Sequence, residues 1–180
     1  MADNNDNPRF YEKDPIVFQA VEALFCFPHD FQSIISEGLA EIAERECKAS
    51  ELQKEFKSVG YEKVMALHKS KRKGRPYDHN PQTHKMMNYL MLLSDDHRRL
   101  MARETLQLLA HIQEYLSMCK EYQSDTSERT IRTLTGTYVA YGSKATQDLL
   151  QNVKKQLLQT WASRNQKITG RDEGMAVSGE

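Results

Sequence analysis

No stretch of this chain approaches the roughly 18 to 20 uninterrupted apolar residues that a membrane-spanning helix needs. The opening residues, Met1 to Asn7, lack both the basic and the apolar parts of an export signal. These two gaps argue against a membrane protein and make the cytosol the expected compartment. Cysteine is scarce: Cys26, Cys47 and Cys119 are far apart, odd in number and never arranged as Cys-x-x-Cys. Such spacing predicts three buried thiols and argues against a disulfide framework or a thiolate zinc site. Net charge is missing as well. Twenty-five Lys and Arg balance twenty-five Asp and Glu, so no whole-molecule field draws the protein to nucleic acid or anionic lipid. The chain also carries no Gly-x-x-x-x-Gly-Lys-Ser/Thr phosphate loop, no Gly-x-Gly-x-x-Gly and no Gly-x-Ser-x-Gly. What remains, 180 residues with a mean hydropathy of -0.71, suits one modest soluble domain with polar ends.

The zero net charge hides a strong division along the chain. Residues 1 to 60 hold 6 basic and 12 acidic side chains, a balance of -6, whereas residues 61 to 85 hold 7 and 2, a balance of +5. Residues 86 to 125 stand at -2 (4 basic, 6 acidic) and residues 126 to 180 at +3 (8 basic, 5 acidic). An acidic front, a basic middle and a mildly basic back would allow head-to-tail self-association, or docking of an anion at one place.

Helix signals dominate the rest. Residues 1 to 13 are polar and aperiodic and read as a disordered tail. Asp14-Pro15 is a paired start, because Asp accepts orphan amide bonds and Pro lacks the amide that would go unpaired. The short helix it opens is apolar over most of its circumference (Ile16, Val17, Phe18, Ala20, Val21, Leu24, Phe25). Pro28 breaks the chain, and Asp30 is expected to cap a longer amphipathic helix with Phe31, Ile34, Ile35, Leu39, Ile42 and Ala43 on one side. Its other face carries Glu37, Glu41, Glu44, Arg45 and Glu46. Ser50 to Gly60 and Tyr61 to Leu67 read as further short helical pieces, and 68 to 80 as a loop. Asn80-Pro81 repeats the cap-plus-proline start. Ser94 with Asp95 and Asp96 opens the longest helix, where Leu100, Met101, Leu108, Leu109, Ile112, Leu116 and Cys119 form the stripe. Residues 130 to 141 have threonine and aromatic content suited to a strand, yet Ile131, Leu134, Tyr138 and Tyr141 step by three and four. The helix reading is preferred, since no partner strand is visible. Gly142 then stops that helix and Ser143 caps a last one, with Leu149, Leu150, Val153, Leu157 and Trp161 on one face. The expected architecture is all-α: a single bundle of six or seven helices over 14–163, with disordered tails at 1–13 and 164–180.

The basic loop carries most of the functional signal. Five of the seven residues from Lys69 to Arg75 are cationic and none is acidic. A segment of that charge density binds phosphates by releasing their counterions. Within it, Lys73-Gly74-Arg75-Pro76 resembles the core of an AT-hook, whose usual form is Arg-Gly-Arg-Pro. That resemblance covers four residues, with Lys73 in place of the first arginine. It implies an extended backbone on the floor of a narrow minor groove with cations inserted alongside. Two other readings stand beside nucleic-acid contact: a solvated linker between helical halves, and contact with an acidic protein face, including the chain's own residues 37 to 46. The candidate nucleic-acid-binding residues are Lys69, Lys71, Arg72, Lys73, Arg75 and Lys85.

Other constellations are weaker. His79, His84, Asp78, Asp95, Asp96 and His97 lack the i, i+4 spacing that puts two ligands on one helix face, so no metal is expected. His29-Asp30 invites comparison with helical phosphohydrolases of the HD type, but no histidine precedes His29 to complete the ligand set. The paired carboxylates from Glu37 to Glu46 are at solvated-face spacing. No catalytic residues and no cofactor are therefore assigned. Met86, Met87, Tyr89 and Met91 form a soft apolar cluster that fits a protein-binding or dimer surface, with core packing as the alternative. The reading is a non-enzymatic helical interaction or regulatory protein that touches nucleic acid through 69–85. The alternatives are a protein-only adaptor or scaffold subunit and, remotely, a small metal-dependent hydrolase built on His79, His84 and Asp95.

Overall fold

The computed structural model describes residues 9–49 and 80–172. Those residues form a short 3-10 turn, Phe10–Lys13, and five α-helices: α1 (Pro15–Phe25), α2 (His29–Ala49), α3 (Pro81–Leu92), α4 (Asp95–Glu121) and α5 (Glu128–Asp172). No strand occurs among the described residues, so 130–141 is helical. These five, counted among the described residues, stand against the expected six or seven, and the two pieces expected on either side of Gly142 run on as one broken helix. The pieces expected over 50–67 and the loop at 68–79 lie outside the described residues.

Three helix starts form as their residues dictate. Asp14 accepts from the amides of Ile16 (3.0 Å) and Val17 (3.4 Å), with Pro15 at the first helical position. Asn80 does the same for Gln82 (3.0 Å) and Thr83 (3.2 Å) ahead of Pro81, and the Ser94 hydroxyl accepts from the amide of His97 at 3.4 Å. Asp30 departs from expectation. The Gln32 amide already bonds the Pro28 carbonyl (2.9 Å), so the helix begins at His29 and Asp30 sits inside its first turn. There its charge still suits the positive end of the dipole. The Gln32 side chain instead secures the joint, donating to the carbonyls of Phe25 (3.2 Å) and Phe27 (2.7 Å).

α2 is the central element. It packs along α3 and along α5, while α1 lies on α4 and α4 lies on α5. The shared core holds Leu24, Ile35, Leu39, Met86, Tyr89, Leu108, Ile112 and Ile131, all essentially inaccessible to solvent. Burying each aliphatic or aromatic side chain of this kind stabilises the fold by about 1.5–3 kcal/mol before entropy is counted. Two buried hydroxyls, Ser36 on α2 and Thr83 on α3, satisfy each other at 2.9 Å across that seam.

Several expectations are corrected. The first ordered turn begins earlier than residue 14: Tyr11 is buried, held at its rim by the Arg9 guanidinium, and belongs to the core. At the other end α5 runs past 163 to Asp172. Cys47 and Cys119 are buried as expected, but Cys26 is exposed, since it closes α1 at the turn before Pro28. Burial, followed by the nearby Glu44 and Glu46 charges, pushes the Cys47 thiol up to about 11. Leu100 is 45% exposed although it fits the α4 stripe, whereas its neighbour Met101 is buried.

Asp14 also ties α1 to α4 through a 2.5 Å bond from Arg99 Nε. That bond, chiefly, with help from the Ile16 and Val17 amides, holds the Asp14 carboxyl below its ordinary value. A carboxylate lowered on folding stabilises fully above its unfolded pKa of about 3.9, and the contribution is lost as pH falls through the folded value. Asp14→Ala is therefore expected to lower the melting temperature at neutral pH. The gap to the wild type should close at acid pH below the lowered carboxyl range, as followed by circular dichroism.

Candidate functional site

Of the six candidate nucleic-acid ligands, only Lys85 falls among the described residues; Lys69, Lys71, Arg72, Lys73 and Arg75 lie outside them. Lys85 stands in the second turn of α3, its ammonium 3.9 Å from Glu44 on α2 and 5.9 Å from the Tyr89 ring centroid. Its side chain is 28% exposed. Lys85 thus serves partly to hold α3 against α2. A pair this long and partly solvated contributes little on its own. Asn80, the residue ahead of α3, is buried and accepts from the amides of Gln82 and Thr83.

The methionine cluster is corrected. Met86, Met87 and Tyr89 are each 1–2% exposed and lie in the core, so they offer no surface to another protein. Met91 is half-buried. Three side chains on successive sides of α3 are buried at once because α3 is pressed along α2 and its other flanks meet α4 and the N-terminal elements.

Of the residues weighed as metal ligands, Asp78 and His79 lie outside the described residues. Among the described residues no group of three or more His, Cys, Asp or Glu is placed to hold a metal ion. His97 Nδ1 is 2.7 Å from Ser94 Oγ, and Asp95 pairs with Arg98 at 2.9 Å, so both serve the α4 start.

Three features arise that sequence spacing did not indicate. The first is a groove of about 290 Å³ between α2 and α5, lined by Ile34, Glu37, Gly38, Glu41, Arg132 and Thr135. Its walls come close because residue 38 has no side chain. A Cβ there would sit 2.5 Å from Thr135 Cγ2 and 3.0 Å from Val139 Cγ2. Thr135 Oγ1 is buried in this seam without a hydrogen-bond partner among the described residues. Arg132 reaches across to Glu37 (3.0 Å), and Arg45 donates to the Val139 carbonyl (2.6 Å). That carbonyl needs an outside donor because Gly142 (φ 81°, ψ -173°) interrupts the helix ladder just beyond it.

The second feature is a polar node around the same break. His111 Nε2 on α4 lies 2.8 Å from Ser143 Oγ. The Tyr138 hydroxyl donates to Glu104 (2.6 Å) and lies 3.0 Å from Gln107 Oε1. Burial, then the Glu104 carboxylate, pushes the Tyr138 phenol far above its ordinary range, so it stays a donor at every physiological pH. Among the described residues Glu104 accepts from Tyr138, and His111 meets Ser143. The node pins α4 to both halves of α5.

The third is the outer half of α5. From residue 151 to residue 166 no side chain is buried. Lys154 and Lys155 are exposed, as are Leu158 (46%) and Trp161 (37%). Trp161, expected on a buried face, meets Tyr122 at a ring separation of 6.5 Å and an angle of 64°, so the two rings touch without stacking. Arg164 donates to the Gln123 carbonyl at 3.3 Å.

Among the described residues no helix is long and apolar enough to cross a membrane. No family model, curated protein or solved structure matches this chain.

Proposed function

We propose that this protein is a non-enzymatic helical interaction or regulatory protein of the cytosol that contacts nucleic acid through residues 69–85. The observation that carries the reading is the density of cations between Lys69 and Arg75, five of seven with no carboxylate among them, a few residues ahead of the anchored start of α3 at Asn80. Arg72, Lys73 and Arg75 supply phosphate or groove contacts. Lys69, Lys71 and Lys85 add unspecific attraction, the last shared with Glu44. An anisotropy titration of the full chain with a labelled oligonucleotide tests the reading. Saturable binding is expected at about 50 mM salt, where phosphate contacts are strong. No binding under that condition removes it.

A second reading, a protein-only adaptor, is favoured by the groove between α2 and α5, whose rim carries Glu37, Glu41 and Glu44. Co-purification before and after nuclease treatment separates the two. Partners that disappear with nuclease support the nucleic-acid reading, and partners that stay support the adaptor.

A further inference from the structure

The second half of α5 presents a surface that the segment 69–85 does not account for. Between Ser143 and Gln166 the helix carries Lys144, Lys154, Lys155 and Arg164 against the single carboxylate Asp148, and all five are exposed. Lys154, Leu158 and Trp161 are spaced by four and three, so they line one ridge over about 10 Å, and Lys155 flanks it. Leu158 and Trp161 are the exposed large apolar side chains of this half. An exposed aromatic ring two turns along the same ridge from an ammonium group, with no carboxylate on that ridge, matches one kind of ligand chemistry. The π-face takes a base, and the cations take the phosphates on either side. A paired duplex hides its base faces, so the ligand that fits is a single strand.

We infer that the Lys154–Trp161 ridge of α5 is a second nucleic-acid contact, stacking an unpaired base on Trp161 with flanking phosphates on Lys154 and Lys155. It rests on the preceding reading for the class of partner but uses different residues. Leu158 packs against the sugar, and Tyr122 holds the indole from its inner side.

Because Trp161 is the only tryptophan of the chain, the site reports on itself. The full-length protein is titrated with oligo-dT of about 15 nucleotides, a length that spans typical single-strand sites. Indole emission is followed for the wild type, and anisotropy of the labelled strand for the variants. The expected results are quenching on binding, about tenfold weaker binding for Trp161→Ala, and near-wild-type binding for Trp161→Phe, which retains a stacking ring. Lys154→Ala/Lys155→Ala should lower the log-log salt slope by about 1.4, at about 0.7 per phosphate contact on a single strand. Unchanged emission together with unchanged affinity of Trp161→Ala overturns the inference. So does equal quenching by polyglutamate, which would make the partner an acidic protein. Replacing the five cations from 69 to 75 by Ala distinguishes the two proposals. Quenching that survives that change supports the α5 site even if the 69–85 reading fails. Binding lost there but intact in the α5 variants leaves 69–85 standing and removes the α5 site. Thermal melts confirm that each variant is folded, which is expected because the altered side chains are exposed.

Discussion

Replacing Gly38 by leucine is expected to destabilise the protein by more than about 3 kcal/mol, at the upper end of the overpacking range. In a chain of this size that lowers the melting temperature by about 10 °C. Even the first added carbon would stand 2.5 Å from Thr135 Cγ2 and 3.0 Å from Val139 Cγ2. Both obstacles are β-branched side chains on a helix, with essentially one comfortable χ1 rotamer for Val and two for Thr, so neither can swing aside cheaply. The backbone of α5 must move instead, and with it the Arg45 bond to Val139 and the Arg132 bond to Glu37. Gly38→Ala is expected to cost less. Overpacking of about 1–3 kcal/mol is offset by about 1 kcal/mol gained in helix propensity. Gly136, in the same groove, supplies the control. A Cβ there meets nothing within 4 Å, so Gly136→Ala should be neutral or raise stability by up to about 1 kcal/mol. Two glycine-to-alanine changes in one seam, with Gly38→Ala expected to be the less stable, are read by denaturant melts and test the α2–α5 crossing. Equal effects would contradict it.

That crossing marks where sequence reading ends. The caps at Asp14, Asn80 and Ser94 were legible because each depends on two or three neighbouring residues, which the sequence displays directly. The stripe of α2 was legible for the same reason: Ile34, Ile35, Leu39 and Ala43 repeat at helical spacing and are buried. Gly38 was not, because its role comes from Thr135, nearly a hundred positions away, and no local pattern records which helix approaches it. His111 and Ser143 are likewise 32 residues apart and meet only through the α4–α5 packing. Pattern also misled in places. Tyr11 sits in a polar, aperiodic stretch yet is buried, since one aromatic can anchor a turn without any period. Trp161 continues the periodic face of α5 and meets Tyr122, yet it is exposed, because the period records a face and not what packs on it. The methionines of α3 illustrate the ambiguity of apolar helix faces. Composition could not choose between a groove and a core, and burial places Met86 and Met87 in the core.

Replacing Lys69, Lys71, Arg72, Lys73, Arg75 and Lys85 together by alanine is expected to have the largest effect on binding. Six phosphate contacts at about 0.7 to 0.9 released counterions each make the affinity fall about a thousandfold between 50 and 200 mM salt in the wild type. The variant forfeits that attraction, so its affinity at 50 mM should drop by at least about a hundredfold. Its melting temperature should fall only slightly, because the long Lys85–Glu44 pair is worth little. A large loss of stability in a Lys85→Ala single variant would mean that this residue is structural, and it would then be left out of the set.

The most direct test of the account is the slope of log affinity against log salt for the wild-type chain with a single-stranded or duplex oligonucleotide. Engagement of the six cations predicts a value at least as steep as roughly -4 to -5, falling in the six-alanine variant to no more than the roughly -1.4 that Lys154 and Lys155 contribute on a single strand. A wild-type slope near zero, or a steep slope that the variant retains, would contradict it.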